Sequence, residues 1–167
     1  MKSLLVVVLA MAFYCAQAQD LGVSLDGMVA FDEESITIND AGSDFALTVE
    51  SESPLYVAII FGNFWDKSSN PNAPWRIEVQ KSDYNWNNNL VLETVRAGNG
   101  INSKNRNKPT NIYDGTNYQT VNNMSGYFFS GRGEIEEIPV NFKITGMSVV
   151  NGAQDFETKV VFTIYDD

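Results

Sequence analysis

Histidine is absent from the 167 residues, and cysteine occurs once, at Cys15. Without histidine the chain lacks the commonest metal ligand and the usual general base near neutral pH. Serine triads, cysteine–histidine dyads and histidine-ligated zinc hydrolases are thereby excluded. Cys15 falls in an N-terminal leader, so the remainder carries no thiol, forms no disulfide and offers no cysteine metal site. Long apolar runs are also scarce. Beyond the leader the longest, Val57 to Phe61, is strand-length, far short of a membrane-spanning helix. Cations are few as well: 11 Lys and Arg stand against 21 Asp and Glu, a net charge of −10. That balance repels nucleic acid and anionic membrane and favours solubility.

What is present begins with Met1-Lys2-Ser3, an apolar stretch from Leu4 to Phe13, and Ala16-Gln17-Ala18. A basic start, a short apolar core and a small-x-small site are the parts of a secretory signal peptide. The apolar stretch is about half the roughly twenty residues that a spanning helix needs. Residues 1–18 are therefore expected to be a signal peptide cleaved after Ala18, leaving Gln19 first and the protein periplasmic, cell-surface or extracellular. Tyr14 stands where a small residue would precede a lipidated Cys15. The remaining residues, about 150, suffice for one domain that buries roughly two-thirds of its unfolded surface.

Period-two alternation dominates that domain. It runs through Ile138, Val140, Phe142 and Ile144, and through Phe156, Thr158, Val160, Phe162 and Ile164 with Glu157, Lys159 and Thr163 opposite. Trp75, Ile77 and Val79 alternate with Arg76, Glu78 and Gln80; Phe45, Leu47 and Val49 follow suit, as do Ile36 and Ile38. Such alternation predicts half-buried strands. Leu55 to Phe61 is almost continuously apolar and predicts a central strand covered on both faces. Weaker strands are expected at Val23–Phe31 and Leu90–Arg96. Turn signals punctuate the runs at Asp26-Gly27, Asp40-Ala41-Gly42, Asn99-Gly100, Asp114-Gly115, Gly131-Arg132-Gly133 and Asn151-Gly152. The expected fold is all-β: an antiparallel two-sheet sandwich, immunoglobulin-like or jelly-roll-like, of seven to nine strands without a disulfide.

Two polar stretches break the rhythm, at about 63–74 and 98–125. Both are dense in asparagine. Connections of that length inside a domain are functional unless structure hides in them, and Asn111–Thr120 could form a hairpin turning at Asp114-Gly115. The aromatics in and beside these stretches are the candidate ligand contacts. Trp65 ends a strand, while Tyr84 and Trp86 lie in Asp83-Tyr84-Asn85-Trp86-Asn87-Asn88-Asn89. Exposed, they would stack on apolar sugar faces while asparagine amides bond the hydroxyls; folded back, they would cap the core. Tyr113, Tyr118 and Tyr127 fit either arrangement, whereas Trp75 reads as core. Lys104, Arg106 and Lys108 form a basic run that is either a contact for an anionic ligand or a solvated loop. Carboxylates cluster at Asp32-Glu33-Glu34, at Asp40 with Asp44, and at Glu134-Glu136-Glu137. They read as calcium ligands or as surface solubility, and no calcium-loop signature accompanies them. Neither a metal nor a cofactor is expected. Asn123-Met124-Ser125 matches a glycosylation sequon without further support.

The final run, Phe156-Glu157-Thr158-Lys159-Val160-Val161-Phe162-Thr163-Ile164-Tyr165, together with the leader, resembles bacterial pilin-like and spore-coat-U-like secreted sandwiches. The resemblance implies assembly by donation of an alternating N-terminal strand to a neighbour's sheet. Val23 and Leu25 alternate across Ser24, but Gly27 to Phe31 breaks the pattern, and the disulfide cysteines of many such subunits are missing. The expectation is a non-catalytic, adhesin-like or structural envelope subunit. Its partners would be a glycan or another envelope protein, with self-assembly open. The alternative is a carbohydrate-binding-module-like protein with Trp65, Tyr84 and Trp86 as its platform; a carboxylate-pair glycoside hydrolase ranks third. Expression in an export-competent bacterial host should yield a protein whose intact mass and N-terminal sequence begin at Gln19. Retention of Met1 would refute the leader.

Overall fold

The alternating apolar residues turn inward from two facing antiparallel sheets. The structure, a computed structural model, describes residues 21–31, 48–62, 72–148 and 156–167. Within them lie eleven strands: β1 (Leu21–Asp26), β2 (Thr48–Glu50), β3 (Leu55–Phe61), β4 (Pro74–Asn85), β5 (Val91–Arg96), β6 (Ile101–Asn102), β7 (Asn111–Tyr113), β8 (Gln119–Thr120), β9 (Gly126–Arg132), β10 (Ile135–Thr145) and β11 (Glu157–Asp166). One sheet runs β1-β3-β10-β5-β8, with β2 and β6 also bonded to β10; the other runs β11-β4-β9-β7. From β7 onward each successive strand crosses to the opposite sheet. Among the described residues no helix is long and apolar enough to cross a membrane.

The core forms where the two inner faces meet. Val57 and Ile59 of β3, Trp75, Ile77 and Val79 of β4, and Ile138, Val140 and Phe142 of β10 all face it, as the alternation predicts. Two irregularities enrich it. A register shift in β9 turns both Phe128 and Phe129 inward, and another in β10, with Glu137 at φ 53°, turns both Ile135 and Ile138 inward. Trp75, fully buried, donates its indole N–H to the Gly133 carbonyl at 2.7 Å and meets Phe129 edge-on at 6.1 Å. An edge-on aromatic pair of this kind contributes about 0.5–1.5 kcal/mol beyond its area. The Trp75 ring packs against Gly131, where a Cβ would stand 2.5 Å from the indole. Gly131 is needed for space; its neighbour Gly133, at φ 74°, is needed for backbone conformation.

Several expectations are adjusted. The strands number eleven rather than seven to nine, because β6, β7 and β8 are two or three residues long and too short to show alternation, and β9, where Phe128 and Phe129 both turn inward, breaks it; β2 holds Val49, the described end of the Phe45-Leu47-Val49 alternation. β3 is not covered on both faces: Val57 and Ile59 are buried, but Tyr56 and Ile60 on either side of them are 41% and 48% exposed. Its outward residues are β-prone rather than core-forming, and composition alone does not separate the two. The polar stretch 98–125 holds β6, β7 and β8, and Asn111–Thr120 is not a hairpin. β7 pairs with β9 in one sheet and β8 with β5 in the other. The Asp114-Gly115 turn, with both φ positive at 63° and 73°, redirects the chain from one sheet to the other. The strand expected over Val23–Phe31 occupies Leu21–Asp26 and stops at Gly27. All six of its residues pair with β3 of the same chain. The strands expected at Ile36–Ile38 and Phe45–Leu47 lie outside the described residues, as do Asp40-Ala41-Gly42 and Asn151-Gly152.

Gly131→Ala should destabilise the fold by roughly 1–3 kcal/mol, the usual effect of overpacking. Urea denaturation should show the midpoint falling with an unchanged slope. An unshifted midpoint would mean that the Trp75 contact yields freely.

Candidate functional site

Strand register gathers aromatic and polar side chains on the outer face of the four-stranded sheet. Because Trp75, Ile77 and Val79 point inward, Arg76, Glu78 and Gln80 point out. Pairing sets Tyr165 of β11 on one side of Arg76, Ser130 of β9 on the other, and Tyr113 of β7 beyond Ser130. Tyr127 of β9 sits beside Glu78 in the adjoining row. Tyr113, Tyr127 and Tyr165 are 52%, 45% and 38% exposed, so none belongs to the core.

This face is wired together. Arg76 stacks on the Tyr165 ring, 4.7 Å from guanidinium carbon to ring centre, and donates to Glu78 at 3.3 Å and to Asp167. The bond to Asp167, then that to Glu78, raises its pKa above the ordinary value. Ser125 donates to the other Glu78 oxygen at 2.7 Å. The Tyr127 hydroxyl reaches Asp114 at 2.5 Å and Ser130 at 3.0 Å. Burial, then the bond to Asp114, pushes that phenol up, so it stays a donor throughout the neutral range. At the far end of β4, Asp83 takes hydrogen bonds from Lys81, Thr158 and Asn123. Burial acts to raise its pKa, but these donors outweigh it and the carboxyl ends below its usual range.

Asp114 is itself held from inside. Leu92, Thr94 and Arg96 form the inward face of β5, and all three are buried, the arginine 96% so by its 4% exposure. A guanidinium taken out of water needs acceptors. Nε of Arg96 donates to the Asp114 carbonyl at 2.8 Å, and one terminal nitrogen reaches the Gly98 carbonyl at 2.7 Å and Asn99 Oδ1 at 2.6 Å. Its backbone N–H bonds the Gly115 carbonyl at 2.7 Å. Burial lowers the Arg96 pKa and the nearby Asp114 charge opposes that, leaving it cationic at neutral pH.

The residues expected from sequence to bind ligand are not brought together. Trp65 lies outside the described residues. Trp86 is half-buried: its indole N–H bonds the Leu90 carbonyl at 2.9 Å, and its ring borders an apolar cavity of about 400 Å³ between the sheets. It caps the core rather than offering a platform. Tyr84 is exposed at the end of β4. Tyr118 lies on the outer face of the other sheet, stacked on Lys143 at 4.0 Å, and Lys143 bridges to Glu93 at 3.0 Å. Burial and Glu50 raise the Tyr118 phenol. Of the aromatics weighed from sequence, Tyr113 and Tyr127 join the tyrosine face.

The basic run is neutralised in part, Lys104 by Glu134 at 3.7 Å and Arg106 by Glu137 at 2.7 Å, while Lys108 is exposed. Its asparagines serve the backbone: Asn102 accepts from the N–H groups of Lys104 and Asn105, and Asn105 from that of Asn107. Asp40, Asp44 and Asp32 to Glu34 lie outside the described residues. Among the described residues no group of three or more Asp or Glu could hold a metal ion. Glu134, Glu136 and Glu137 instead bond Phe61 N–H, Ser103 and Arg106 separately. Arg76 and Tyr165 were not singled out from sequence. Parity marks them: each occupies the outward position of a strand whose other positions alternate cleanly.

Compared with protein-family models, curated proteins and solved structures, the chain matches none.

Arg96→Met should cost roughly 2–4 kcal/mol in chemical denaturation, because it orphans several buried acceptors. Arg106→Ala, which breaks an exposed pair, should cost under about 1 kcal/mol. Equal effects would remove the organising role of Arg96.

Proposed function

We propose that the protein is an exported, non-catalytic recognition protein, adhesin-like, whose contact surface is the outer face of the four-stranded sheet. The observation that carries this reading is the alignment of Tyr113, Tyr127 and Tyr165 around Arg76 on one solvent face. Tyrosine and arginine are the residues that most often dominate binding surfaces, since each offers a rigid or planar group with both apolar contact and hydrogen bonds. Their mounting on paired strands, rather than on loops, keeps them in fixed relation before a partner arrives. The carboxylates on the face are each hydrogen-bonded to a neighbour, a pattern suited to shaping a surface rather than to proton transfer.

The test is retention of fluorescently labelled protein on a glycan array and on cell-envelope preparations. The wild type should bind at least one of them as a folded protein. The triple variant Y113A/Y127A/Y165A should lose at least tenfold in retention with its β-sheet circular dichroism preserved. Retention that ignores the triple substitution would overturn the reading, as would a monomeric protein that binds neither surface.

A further inference from the structure

We infer that the tyrosine face takes a neutral oligosaccharide laid across the strands. The inference rests on the recognition reading above and assigns its ligand class. Size comes from register. Tyr165, Arg76, Ser130 and Tyr113 occupy one row over four adjacent strands. Three strand spacings separate the outer tyrosines, about 14 Å at roughly 4.8 Å each. That span exceeds a single sugar ring and suits a chain of several. Tyr127, one row over on β9, lies between them.

Chemistry comes from what lies between the rings. A sugar chain alternates apolar C–H faces with hydroxyls that both donate and accept. The row alternates likewise: a tyrosine ring, the Arg76 donors, the Ser130 hydroxyl, then another ring. Glu78 and Asp114 sit beside it as acceptors. A protein partner fits less well, because the buried centre of a protein interface is depleted in Glu, Asp and Ser, and here Glu78, Asp114 and Ser130 stand among the rings.

Charge decides between neutral and acidic sugars. Glu78, Asp114 and Asp167 face the row, while Arg76 is bonded to two of these three carboxylates. Even with Arg132 at the next outward register of β9, carboxylates outnumber guanidiniums, on a chain of net charge −10. An anionic glycan would meet a repelling field.

Isothermal titration of the purified full chain with cellohexaose, laminarihexaose and xylohexaose tests this, beside hyaluronan hexamer and oligogalacturonate as anionic probes. At least one neutral hexamer should bind, with an affinity unchanged between low and high NaCl and at least tenfold above that of its monosaccharide. Tyr113→Ala and Tyr165→Ala should each weaken binding roughly tenfold, by analogy with base stacking on aromatics. Tyr113→Phe and Tyr165→Phe should stay within a few-fold, since the ring remains, and Tyr84→Ala should have no effect. Preference for an anionic hexamer, no binding of any neutral one, or indifference to both alanine variants overturns the assignment. If envelope or array retention still depends on the three tyrosines while every neutral hexamer fails, the ligand class falls and the recognition face stands. If retention does not depend on them, both fall.

Discussion

A charge withdrawn from water must be surrounded by acceptors, and Arg96 imposes that requirement on the chain around Gly98–Asn99 and Asp114–Gly115. Its place on the inward face of β5 is fixed by alternation with Leu92 and Thr94. The chain that follows bends to supply what the guanidinium needs: the Gly98 carbonyl, the Asn99 side chain and, after a long excursion, the Asp114 carbonyl. The positive φ of Asp114 and Gly115 aims both carbonyls toward the arginine and carries the chain from one sheet to the other. Asp114 then presents its carboxylate to Tyr127, so a buried cation orders the surface.

The described part of the polar stretches is occupied in the same inward way. Asparagine-rich loops invite a reading in terms of ligand hydrogen bonds, yet here the amides are spent locally on backbone N–H groups. Trp86, amid polar neighbours in sequence, folds onto the core because its ring finds apolar residues of both sheets and its N–H finds a carbonyl. The paired strands, by contrast, hold their outward side chains in rows. A face assembled from four strands can align groups that are nearly ninety positions apart in the chain, as Arg76 and Tyr165 are.

Much of the fold was legible because burial writes a period of two into each strand. Trp75 to Val79, Ile138 to Ile144 and Phe156 to Ile164 all face as their alternation says. The failures have two causes. β6, β7 and β8 are too short to show a period, and each pairs with a strand that is not its neighbour in sequence. Leu55 to Phe61 looked doubly covered because Tyr56 and Ile60 are apolar, although a solvent-facing strand tolerates such residues.

The site was less legible than the fold. Tyr113 stood out from its sequence neighbours, but its companions Arg76 and Tyr165 did not, since each looks like an ordinary outward residue until the register is known. By itself the sequence determined the all-β class and which side of the cleanly alternating strands faces the core, because those follow from local alternation. Only the tertiary structure decided which outward residues become neighbours and where the Asp114-Gly115 turn leads. Cross-strand pairing and the acceptors of a buried charge join residues with no local relation in the chain.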